Sequence, residues 1–318
     1  MALTKHPIAD LIARRGGLVI DGAMSTPLEA AGLNLNDTLW SAKALLECPD
    51  LVRKVHYDYY AAGANAVEAC SYQATEAAFA RKGIEKAEAS RLIRLSGELV
   101  REAKNDVLLE HPEWDPADLL TAGSIGPYGA YLADGSEYTG AYDLTREEYY
   151  AFHQLRLDEL LNSGMDILAI ETQPRFDEIE ALLAMIADRD ITCWVTVTLK
   201  DGDMPDGTKL EVLAKCLDAD PHVEAFGFNC IKREWVEPGL KRLSAYTDKP
   251  LVVYPNSGET YDPTTKTWHA QGVHEPDWNH YVPLWEHTGA RCIGGCCRTL
   301  PKDIVQIADL LHLSLIHI

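Results

Sequence analysis

Arg291-Cys292-Ile293-Gly294-Gly295-Cys296-Cys297 is a short apolar run that stops at a glycine pair and two adjacent cysteines. A run of this length, ended by glycine, reads as a buried strand. Neighbouring side chains on a strand point to opposite faces, so both cysteines can face one site only where the strand has ended. The glycines suit either a tight backbone path or the close approach of a ligand. This is the last of eight such runs, and their number decides the fold.

The other seven runs are 18–20, 66–70, 119–125, 167–170, 193–199, 223–228 and 251–254. Helical patterns follow them over 50–62, 84–109, 145–163, 176–187, 210–217, 235–246, 278–288 and 300–311. Pro49 suits a first helical turn and Gly63 a C-terminal stop, while Thr145 and Glu148 are spaced as a capping box. Strands that are apolar throughout, each followed by a helix, give a parallel sheet buried on both faces. A doubly wound sheet would place a glycine-rich fingerprint after its first strand, and Asp21-Gly22-Ala23-Met24 is not one. The expectation is therefore an α/β fold, a (β/α)8 TIM barrel, forming a single domain over residues 1–318.

Composition narrows the function. The chain has 318 residues, 47% of them hydrophobic, which is ample for one core of this size. A net charge of −20 argues against a nucleic-acid partner, which requires clustered Lys and Arg, and against an anionic membrane surface. It is compatible with a cationic small molecule, although solubility alone also explains an acidic surface. There is no apolar stretch long enough to span a bilayer, and residues 1–10 lack the layout of a secretory signal. Eight scattered cysteines in a chain of this length suit a reducing cytoplasm better than a disulfide framework. Nothing in the sequence signals an oligomeric state.

In such a barrel the active site lies where the strands run out at their C-terminal ends. The polar residues at those positions are Asp21, Ser71, Glu171, Thr198, Asn229, Cys230, Asn256, Cys296 and Cys297. If Cys230 ends a strand beside the last one, three thiolates can converge, leaving a tetrahedral Zn²⁺ one open position. Three ordinary buried thiols are the alternative, since free cysteine is among the most buried residue types. Glu171, after Leu-Ala-Ile, is an expensive place for a charge unless it binds something; Asp21 could equally be a turn residue before Gly22. Tyr72 and Tyr128 also sit at strand ends, where an aromatic face could meet a cation or simply pack at the rim. A barrel using a Schiff-base lysine or a phosphate loop is a competing class; Lys200 is a candidate lysine, but no phosphate loop is visible.

Asp21-Gly22-Ala23-Met24, Glu171-Thr172, Asn229-Cys230, Tyr254-Pro255-Asn256 and Gly294-Gly295-Cys296-Cys297 together resemble the homocysteine S-methyltransferase family over about residues 10–312. Ser124-Ile125-Gly126-Pro127-Tyr128-Gly129-Ala130-Tyr131-Leu132-Ala133-Asp134-Gly135-Ser136-Glu137-Tyr138 is similar to the branch that uses S-methylmethionine. The resemblance implies a zinc-dependent barrel that methylates homocysteine to methionine. It assigns the zinc to Cys230, Cys296 and Cys297, and the amino-acid-binding acids to Asp21 and Glu171. The partners implied are L-homocysteine and a sulfonium methyl donor. Related barrels use betaine as donor, and a zinc- or thiol-binding barrel without catalysis would need the cysteines but not the two acids. Residues 314–318 are unlike the family's ending and are set aside as a non-native tail.

Overall fold

Each of the eight apolar runs forms a parallel strand, and the strands take their place in one barrel. The structure, a computed structural model, describes residues 5–258, 260–262, 267–269 and 277–314. In chain order the strands are β1 (Leu18–Val19), β2 (Ala66–Glu68), β3 (Leu120–Ile125), β4 (Ile167–Gln173), β5 (Cys193–Val197), β6 (Val223–Asn229) and β7 (Leu251–Tyr254). A short antiparallel hairpin follows, β8 (Thr260–Asp262) with β9 (Thr267–His269), and then β10 (Ala290–Ile293). Neighbouring strands run β1-β10-β7-β6-β5-β4-β3-β2, and a parallel bridge from Ile20 to Ala66 joins β1 to β2. The barrel of eight parallel strands ringed by helices is the expected one. The tail set aside from the sequence lies outside the described residues, apart from Ser314 at the end of the last helix.

Two apolar layers hold it together. Helices cover the outside: on Leu210–Ala219, Leu210, Leu213, Ala214 and Leu217 are buried at the spacing of one helical face. Helix Arg146–Asn162 begins with the capping box expected from Thr145 and Glu148. The interior is filled by alternate residues of the strands. Leu18 and Ile20, Ala66, Leu120 and Ala122, Ile167 and Ala169, Trp194, Ala225, Val252 and Cys292 form one buried cluster. Helix Pro7–Arg15, which the sequence reading did not place, seals the lower end with Ile8 and Leu11, both fully buried.

The same alternation positions the site. Further along the same inward faces come Glu68 on β2, Ser124 on β3, Glu171 on β4, Thr196 on β5, Asn229 on β6 (past Gly227) and Tyr254 on β7. The inward stripe thus turns from apolar to polar at the C-terminal ends. Of the two reasons expected for the glycine pair, the tight backbone path is seen in the packing around both residues. A Cβ on Gly294 would lie 2.7 Å from both Cβ and O of Ile20, and one on Gly295 only 2.4 Å from the Thr299 side chain.

Candidate active site

Cys230 ends β6 in the left-handed region, with φ of 53°, a conformation that side-chain-bearing residues rarely adopt. Its backbone N–H donates to the Tyr254 carbonyl, and Asn256 Nδ2 donates to its carbonyl at 3.3 Å. This turns the sulfur toward the end of β10. There Cys230 Sγ lies 3.6 Å from Cys297 Sγ, which lies 3.9 Å from Cys296 Sγ. The three sulfurs are all within 4.8 Å of one another. Sulfurs bound to one tetrahedral Zn²⁺ at ~2.3 Å stand ~3.8 Å apart, so the donor set and its spacing fit that ion. The separations are far too long for a disulfide.

The neighbouring Cys296 and Cys297 thiols hold the Cys230 thiol well below its usual pKa, and Tyr138 and Asn256 add to the effect. The nearby Cys230 sulfur in turn pushes the Cys296 thiol well above the ordinary range, and it raises Cys297 as well. Tyr138 Oη is 3.2 Å from Cys230 Sγ.

The sulfurs form one wall of a cavity at the barrel mouth. Asp21, Glu68, Glu137 and Glu171 also line it, while none of its lining residues is Lys, Arg or His. Glu171 Oε1 accepts from the Ser124 hydroxyl and Oε2 from Asn229 Nδ2 at 3.1 Å. Burial nevertheless raises its pKa to about 7. Asn229 also accepts from the Thr172 N–H at 2.8 Å and donates to Thr172 Oγ1 at 2.7 Å. These bonds brace Thr172, whose φ is 57°, and so fix the end of β4. Asp21 Oδ2 accepts from the Glu68 N–H at 3.1 Å, but Asp21 Oδ1 and Glu68 Oε1 are buried without a partner. Burial raises both carboxyls well above their ordinary range, with the charge of Glu171 adding to it. A site that stacks ionisable acids and leaves their acceptor oxygens unsatisfied is built for a cation that carries N–H groups.

Of the residues singled out from the sequence, Asp21, Gly22, Tyr72, Glu171 and the three cysteines line the cavity. A Cβ on Gly22 would fall 2.9 Å from both Tyr59 Oη and Thr299 Oγ1, so only glycine fits there. Asn229 and Asn256 act from behind, on Glu171 and Cys230. Ser71 is buried and ties strand ends together by donating to the Ser124 carbonyl at 2.7 Å. The structure does not bring Tyr128 to the cavity: its ring packs among Tyr131, Tyr142 and Phe152. Lys200 is exposed. The sequence reading missed Glu68, Glu137, Tyr138 and Tyr254. Glu137 and Tyr138 lie within the stretch that carried the resemblance, and strand parity would have found Glu68, two residues beyond Ala66.

Residues 18–311 match the homocysteine S-methyltransferase family. The chain belongs to that family. It is 49% identical over 304 residues to the homocysteine S-methyltransferase of Escherichia coli strain K12, covering 95% of this chain and 97% of the relative. It is 43% identical to the homocysteine S-methyltransferase YbgG of Bacillus subtilis strain 168, over 95% and 97% of the two chains. The crystal structure of the E. coli homocysteine methyltransferase MmuM in its metallated form superposes with a TM-score of 0.86 at 45% identity, covering 96% of this chain and 99% of that one. The chain is thus an enzyme of the homocysteine S-methyltransferase family. Among the described residues no helix is long and apolar enough to cross a membrane.

Proposed function

We propose that this enzyme transfers a methyl group from a sulfonium donor, S-methylmethionine before S-adenosylmethionine, to the thiol of L-homocysteine, using Zn²⁺ held by Cys230, Cys296 and Cys297. The observation that carries this reading is three convergent thiols in a cavity whose charged side chains are otherwise all carboxylates. Bound there, Zn²⁺ would keep a substrate thiol ionised at neutral pH, where a free thiol of pKa ~8.5 is mostly protonated.

The chain's own residues do the positioning. Asp21 and Glu171, with Glu68 beside them, take the homocysteine ammonium and so set where its sulfur lies. That sulfur bonds to the donor methyl carbon as the carbon–sulfonium bond breaks, and the electron pair stays on the donor sulfur. The thiol proton goes to solvent, so homocysteine and S-methylmethionine yield two methionines and one proton. No general base is required, and alignment of the reactants supplies ~7–11 kcal/mol of the rate advantage. The cysteines, all eight of them unpaired, suit a reducing cytoplasm.

The similarity through Ser124–Tyr138 supports S-methylmethionine, and that stretch supplies Glu137 and Tyr138 to the cavity wall. The test is kcat/KM for S-methylmethionine, S-adenosylmethionine and betaine at saturating homocysteine. The order expected is the order given. A betaine value about tenfold above that of S-methylmethionine, ~1.4 kcal/mol, would overturn the donor assignment.

A further inference from the structure

The cavity has two acidic poles. Asp21, Glu68 and Glu171 interact with one another at the ends of β1, β2 and β4. Glu137 comes from a different part of the chain, the segment between β3 and helix Arg146–Asn162, beside Tyr138, whose hydroxyl lies 3.2 Å from the Cys230 sulfur. The side chain is only 9% exposed and lines the cavity, and Oε2 is buried with no partner. The segment is packed to keep it there: a Cβ on Gly129 would sit 2.6 Å from the Glu137 nitrogen. A buried, anchored carboxylate with one free acceptor oxygen needs an N–H donor, and leaving it unpaired is costly.

We infer that Glu137 takes the α-ammonium of the methyl donor, making that amino group a specificity requirement. The inference rests on the proposed function, which brings two amino acids into one cavity. Each then has its own set of unsatisfied acceptor oxygens. A sulfonium sulfur carries no N–H and cannot satisfy Oε2, so the ammonium is the part of the donor that fits. Betaine, whose nitrogen is fully methylated, cannot satisfy it either.

The test compares S-methylmethionine with its deamino analogue, 4-(dimethylsulfonio)butanoate, as substrates or as competitive inhibitors of the zinc-loaded enzyme. The wild type should favour S-methylmethionine by about tenfold or more, as expected for a charged hydrogen bond. Glu137→Gln should lose most of that preference by raising the KM for S-methylmethionine, with the KM for homocysteine and the zinc content unchanged. Glu137→Asp, which keeps the charge at shorter reach, should fall between them. Equal losses with both donors, or a shift in the homocysteine KM, would overturn the assignment. If the wild type transferred no methyl from any sulfonium, the proposed function would fail on its own. Calorimetric binding of S-methylmethionine to the wild type and to Glu137→Gln would then decide the role of Glu137, and equal affinities would overturn it.

Discussion

Cys230, proposed above as a zinc ligand, sits at a strained backbone angle, of order 1–3 kcal/mol, in a turn held by Asn256 and the Tyr254 carbonyl. Removing a sulfur should therefore cost the ion. Zinc measured by mass spectrometry should drop from about one per chain toward zero in Cys230→Ala or Cys296→Ala. Full zinc retention in the double variant would rule the site out. Glu171 lines the same cavity and is proposed to hold the homocysteine ammonium. Glu171→Gln should raise the homocysteine KM about tenfold, leave zinc content unchanged, and leave the reactivity of a thiol without an amino group, such as 2-mercaptoethanol, as it was. An equal loss with both thiols would instead make Glu171 structural. The three cysteines, Asp21 and Glu171 were legible in the sequence because each follows an apolar run. Glu68 was not, because the run was read through to residue 70 whereas the strand ends at Glu68 itself.

At the scale of elements, the segment between β3 and helix Arg146–Asn162 delivers Glu137 and Tyr138, and a buried polar hub holds it from behind. Arg156 donates to the Tyr72 and Gly126 carbonyls, each at 2.6 Å, and to His153 Nδ1 at 2.7 Å. A guanidinium can only donate, so His153 Nδ1 accepts and its Nε2–H donates to Glu178 Oε1 at 2.8 Å. Glu178 in turn accepts from the Tyr128 N–H at 2.7 Å and from the Tyr142 hydroxyl at 2.6 Å. Burial, the larger cause, keeps His153 below its ordinary pKa, consistent with that neutral tautomer. Arg156→Leu strands three acceptors in a dry interior and should cost about 3 kcal/mol in urea unfolding, with a loss of methyl transfer. Arg156→Lys, lacking the fork, should recover only part of either. An unchanged unfolding midpoint in Arg156→Leu would show that the hub is dispensable. Sequence periodicity reveals none of this, since it marks which residues are buried but not which buried polar groups meet. The capping box at Thr145 was legible because both of its partners lie within one turn.

For the whole molecule, the alternation of strands and helices was enough to specify the barrel, because a parallel sheet buried on both faces needs apolar residues at nearly every strand position. The closing helix Pro7–Arg15 was not legible, since its two plugging residues, Ile8 and Leu11, make too short a pattern to stand out. His56, fully buried in helix Pro49–Ala61, has no hydrogen-bond partner for either ring nitrogen, and burial lowers its pKa to about 3. Below pH ~6.5 the unfolded chain binds a proton that the folded chain refuses, so this residue's contribution to stability falls as pH falls, by ~1.4 kcal/mol per unit down to the folded value. Glu171 acts in the opposite sense: its folded pKa of about 7 means that the penalty for its buried charge is relieved as pH drops toward the ordinary carboxylate value of 4.5. The wild type alone therefore gives a blended curve. In the difference between wild type and His56→Leu the carboxylate contribution cancels, because both proteins carry it. Urea unfolding at pH 7.5, 6 and 5 should show that difference flat above pH ~6.5 and then growing in favour of the leucine variant by ~1.4 kcal/mol per unit. A difference that stays constant down to pH 5 would mean that the folded protein protonates His56 as readily as the unfolded chain does, and that the ring is not sealed from water.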